Sequence, residues 1–148
     1  MLTERFLEFT HHILINACEM SYVEEAHGTL ELLQRLDRIL KYYGNDKEYV
    51  SLNKEINILQ DYIFIMKMKH GNTCDLRFLG TGEGEDIQIH RFSVISYVDK
   101  IIQEHKNDRD KYTTYHISVE FDETITLLVE SQSNEEMKSY RCKLDKEV

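Results

Sequence analysis

The run Phe9-Thr10-His11-His12-Ile13-Leu14-Ile15-Asn16 sets two adjacent histidines and an asparagine into apolar sequence. On a helix, residues four apart share a face one turn apart, so the amide of Asn16 can position a water or a phosphoryl oxygen beside the imidazole of His12. Imidazole is neutral for much of its population at physiological pH, and in that form it is a competent nucleophile for phosphoryl transfer. His11 projects about 100° away from His12 on the same helix. A histidine inside an apolar helix more often serves packing or lies idle at the surface, so these residues by themselves leave both readings open. A zinc site built on His11 and His12 is disfavoured, because adjacent helical residues diverge and no further ligand stands at a suitable spacing.

Other chemistry is limited by composition. The acidic excess, 27 acidic against 18 basic residues for a net charge of −9, argues against a nucleic-acid or anionic-membrane surface and leaves proteins as the expected partners. Cys18, Cys74 and Cys142 are odd in number and far apart, which points to free thiols in a reducing compartment. No apolar run reaches the roughly 18 residues that span a bilayer, and the N-terminus has no secretory pattern, so the chain is expected to be cytoplasmic. Gly80-Thr81-Gly82-Glu83-Gly84 is glycine-rich but does not precede a helix, as a phosphate-cradling loop must, and is expected to be a turn.

The elements that must position the histidines follow from periodicity. Leu2, Phe6, Phe9, Ile13, Ala17 and Met20 recur every three or four residues, predicting a helix from Leu2 to about Val23. Leu30, Leu33, Leu36, Leu40 and Tyr43 predict a second helix from about Glu24, antiparallel to the first across a short connection near Ser21 to Glu25. Such a hairpin has too little interior of its own, and a second copy would bury its outward seams in a dimeric four-helix bundle. Gly44-Asn45-Asp46 ends this module. A third helix is predicted from about Ser51 to His70, with Leu52, Ile56, Leu59, Ile63 and Met66 as its stripe, Ile58, Tyr62 and Ile65 widening it, Ser51 as its cap and Gly71 as its exit. Beyond it, alternation predicts strands at Cys74 to Leu79, Asp86 to Ile89, Tyr115 to Phe121 and Ile125 to Val129, with a weaker one at Lys138 to Leu144. Phe92, Ile95, Val98, Ile101, Ile102 and His105 outline a fourth helix, closed by the polar run Lys106 to Lys111. This order suggests an α+β fold in which helices cover one face of a small sheet.

The third helix carries a pattern, Val-x-Leu-x-x-Glu-Ile-x-x-Leu-x-x-Tyr-Ile-x-Ile from Val50 to Ile65, that is similar to the helix linking the two catalytic modules of LytS-type sensor histidine kinases. Lys69 stands where that family usually has arginine. The histidine run resembles the family's Pro-His-Phe-Leu-Phe-Asn box, with His12 on its phosphoryl-accepting histidine and Asn16 on its asparagine. His11 replaces the proline, and Ile15 replaces an aromatic residue. Glu24-Glu25-Ala26 and Leu40-Lys41-Tyr42 resemble further family positions. The fourth helix falls where the family places its asparagine box, but Asp99 stands for glutamate, Lys100 for the magnesium-binding asparagine, Glu104 for histidine and His105 for glycine. An ammonium repels the cation that an amide oxygen would ligate. Glu130-Ser131-Gln132 only resembles the family's Asp-x-Gly, whose carboxylate reads adenine, and its glycine is missing.

The resemblance, from about Phe9 to Gln132, implies a dimerising hairpin over residues 1–47 and a small α/β sandwich, a degenerate and truncated histidine-kinase ATPase domain, over 48–148. It implies a two-component-signalling pseudokinase that forms a homodimer, binds a sensor kinase or a response regulator receiver domain, and uses neither metal nor cofactor. The alternatives are a histidine phosphotransferase acting through His12 and Asn16, and a fragment of an active sensor histidine kinase; Lys100 is the one residue left to contact a nucleotide phosphate directly, as a point charge.

Overall fold

A computed structural model describes residues 2–70, 74–81, 87–105, 113–121, 124–133 and 136–145. The chain divides into two compact units, Met1–Asp46 and Lys47–Val148.

The first unit is two packed helices, α1 (Leu2–Val23) and α2 (His27–Tyr43). The connection, residues 24–26, is shorter than the predicted Ser21 to Glu25 because α1 continues to Val23, and α2 starts at His27 rather than at about Glu24. Glu25 explains this: its φ of 57° puts it in the left-handed region that ends a helix. The Ala26 amide donates to the Ser21 carbonyl at 2.9 Å and the Glu25 amide to the Tyr22 carbonyl at 3.1 Å. These two bonds form the paired 6→1 and 5→2 closure that satisfies the last carbonyls of α1. The predicted seam of α1 lies mostly on the outward side of the hairpin, and a different set of residues packs on α2. Leu14 and Ser21 are buried with Leu7, Ala17 and Cys18 beside them, while Phe9, Ile13 and Met20 are exposed. Of the predicted seam residues with described side chains, only Ala17 therefore belongs to the inner face. The side chains of Leu2 and Phe6 lie outside the described residues.

The second unit is α+β. Its elements are β1 (Tyr49–Ser51), α3 (Leu52–His70), β2 (Cys74–Thr81), β3 (Gln88–His90), α4 (Ser93–His105), β4 (Thr113–Phe121), β5 (Ile125–Gln132) and β6 (Met137–Leu144). β1 and β3 pair antiparallel, Val50 opposite Ile89. The larger sheet has the order β2-β4-β5-β6, with β2 and β4 parallel and the other pairs antiparallel. Tyr115, Ile117 and Val119 alternate onto one face with Ile125, Leu127 and Val129, and all six are buried. α3 packs against β2 and α4 against β6, with Leu52, Leu59, Val94 and Val98 at 1% exposure or less.

Ser51 caps α3 as predicted, its hydroxyl accepting from the Lys54 amide at 3.2 Å. The glycine exit at Gly71 and the polar run 106–111 lie outside the described residues. So does most of the expected turn at 80–84, although Gly80 and Thr81 belong to β2. β1 was not anticipated, since three residues are too few for alternation to declare a strand.

Candidate functional site

His11 and His12 lie in the middle of α1, and their surroundings differ. His12 and Asn16 are exposed on the same side of the helix, as the four-residue spacing requires. The apolar residues Phe9, Ile13 and Met20 run beside them at 62%, 50% and 62% exposure. His11 instead turns toward α2, where its Nδ1 lies 2.5 Å from Oδ1 of Asp37. The other carboxylate oxygen of Asp37 takes Nζ of Lys41 at 3.0 Å. Burial pushes the Asp37 carboxyl upward, but the bonds and charges of His11 and Lys41 outweigh it and hold the group below its ordinary value. The two imidazole centroids are 6.1 Å apart. Beside Asp37 a groove of about 410 Å³ opens, lined by Ile15, Cys18, Glu19, Gln34, Asp37 and Arg38.

In the second unit the residues that the resemblance singled out lie on two elements, α4 and β5. Asp99, half-buried on α4, accepts a short hydrogen bond from the Tyr62 hydroxyl of α3, with Nε2 of Gln103 at 3.5 Å. Lys100 and Glu104 are exposed on the same helix. Glu130 lies on β5 opposite His116 and Ser139, on the alternate face to buried Val129 and Ser131. It is therefore turned away from the packed side of the sheet. Among the described residues, no group of three or more His, Cys, Asp or Glu side chains could hold a metal ion, and no helix is long and apolar enough to cross a membrane.

What sequence reasoning missed is the role of Glu55. It is fully buried, and its carboxylate accepts from the backbone amides of Phe92 at 3.1 Å and Ile95 at 3.3 Å. A side chain of α3 thus accepts from amides at the start of α4 and just before it. Phe92, with φ 69°, is strained into the left-handed region just before α4, and the guanidinium of Arg91 sits 4.8 Å above its ring. Burial raises the Glu55 carboxyl above its ordinary value, against the opposing pull of the Phe92, Ile95 and Val94 amides and Arg91. The signal was present in the sequence: an acid set between Leu52, Ile56 and Leu59 on an apolar stripe must find buried donors.

Residues 8–74 match the family model described as histidine kinase. The match takes in His11, His12, Asn16, all of α2 and all of α3, and it supports a histidine kinase family relationship for the chain. No curated protein matches the chain.

Proposed function

We propose that this protein works in two-component signalling without using ATP, as a pseudokinase that docks on a sensor kinase or a receiver domain through its helical hairpin. The observation that carries this reading is the engagement of Asp99 by Tyr62. The acid at the family's glutamate position is committed to an internal hydrogen bond, and its neighbour is the cationic Lys100 in place of a magnesium ligand. An ammonium at that position opposes the ion that phosphoryl transfer from ATP requires. On this reading the second unit is a degenerate ATPase-like domain that has kept its packing. The hairpin supplies the contacts. Two copies join through the exposed Phe9, Ile13 and Met20, and the groove between α1 and α2 receives the partner.

A second reading, histidine phosphotransfer, is favoured by one observation: His12 and Asn16 are both exposed on one side of α1. A receiver domain supplies the aspartyl phosphate and the magnesium, so the hairpin need only present a positioned imidazole.

Binding of the full chain to the receiver domains and sensor kinases of its own genome, measured by interferometry, tests the docking reading. Saturable binding to one of them is expected, lost on Glu19→Arg in the groove and kept on His12→Ala. Binding indifferent to Glu19→Arg, or self-labelling from ATP alone, overturns it.

A further inference from the structure

The histidine that matches the family's box is His12, but the histidine with a chemically prepared ring is its neighbour. With Nδ1 of His11 against an ionised carboxylate at 2.5 Å, the neutral form of the ring is the one that carries its proton on Nδ1 and its lone pair on Nε2. Lys41 fixes that carboxylate from its other oxygen at 3.0 Å. The side chains of His11 and Asp37 are 31% and 16% exposed, so the pair is partly withdrawn from water while the ring keeps access to it. A carboxylate behind an imidazole holds its orientation and tautomer, and stabilises the positive charge that develops when the far nitrogen attacks. Among the described residues no carboxylate is hydrogen-bonded to His12.

We propose that His11 is the nucleophile of the hairpin, its Nε2 accepting a phosphoryl group from an acyl phosphate while Asp37 holds the proton on Nδ1. This rests on the phosphotransfer reading and changes the residue that performs it. In the step, a bond forms between Nε2 and phosphorus, and the bond from phosphorus to the acyl oxygen breaks. The carboxylate departs with the electron pair. No proton has to leave the ring, since Nδ1–H remains donated to Asp37 and the positive charge on the phosphorylated imidazole is balanced by that carboxylate. Asp37 is a positioning residue, acting through His11.

The probe is acetyl phosphate, the simplest acyl phosphate, added to the full chain, with labelled positions and rates read by mass spectrometry under fragmentation that preserves phosphohistidine. His11 is expected to label at least tenfold faster than His12. Asp37→Asn, close in shape and neutral, is expected to slow His11 at least tenfold and leave His12 unchanged, so that His12 reports within the same molecules that the hairpin is intact. Asp37→Glu, which retains a carboxylate, is expected to recover part of the rate. Label on His12 with His11 silent, or a His11 rate indifferent to Asp37→Asn, overturns the assignment and leaves the phosphotransfer reading standing. Absence of label from both histidines overturns the two together.

Discussion

The hydroxyl of Tyr62 on α3 donates to the carboxylate of Asp99 on α4, tying together the two helices of the second unit. Because the acceptor is a carboxylate, Tyr62→Phe is expected to cost about 1.5 kcal/mol, the low end for hydrogen bonds to charged groups, since half-buried Asp99 can recruit water. Urea denaturation followed by circular dichroism measures this. A loss within a few tenths of a kcal/mol would show that the bond is incidental.

Glu55 gives a stronger and pH-dependent prediction. Glu55→Ala strips the acceptor from the amides of Phe92 and Ile95 inside the protein, and each unsatisfied donor costs about 1–3 kcal/mol. Glu55→Gln keeps one acceptor oxygen and should lose less. The folded-state pKa of Glu55 is raised by burial. Its titration therefore favours the folded state below the ordinary value of 4.5, and that favour is lost as pH rises through the elevated value. The stability of wild type relative to Glu55→Gln should accordingly fall with rising pH across this window and then level off. Paired denaturation curves at several pH values report the slope.

Glu25 holds a left-handed conformation at the end of α1, which glycine adopts without penalty. Glu25→Gly is expected to stabilise the hairpin by about 1 kcal/mol, and Glu25→Val to destabilise it. The unfolding midpoint of the two variants should move in opposite directions from wild type.

The exposed Phe9, Ile13 and Met20 lead to a prediction about assembly. Sedimentation equilibrium is expected to show a dimer that Phe9→Asp or Ile13→Asp shifts toward monomer, while helix content stays unchanged. A wild-type monomer at high protein concentration contradicts the bundle.

Much of the fold was legible because its signals are local. The stripe from Leu52 to Met66 and the alternation from Tyr115 to Phe121 each encode one buried face, and both elements formed with that face inward. The outward seam of α1 was legible, with Phe9, Ile13 and Met20 exposed, whereas the face that packs on α2, with Leu14 and Ser21 buried, was not. Periodicity reveals an apolar face without saying which structure covers it. The site was legible only in part. His12 and Asn16 share a face because four residues make one turn, a property of the helix alone. The His11–Asp37 pair joins residues 26 apart and depends on how α1 meets α2. Likewise, Glu55 and Asp99 were visible as acids, but their partners Ile95 and Tyr62 come from other segments of the chain.

The central claim is that the second unit does not take ATP, and titration calorimetry of the full chain with magnesium and ATP tests it most directly. The account predicts no saturable heat up to millimolar nucleotide, with the same result for Lys100→Ala. Micromolar binding that Lys100→Ala abolishes would contradict it, because the lysine would then have taken over the electrostatic role of the metal ion.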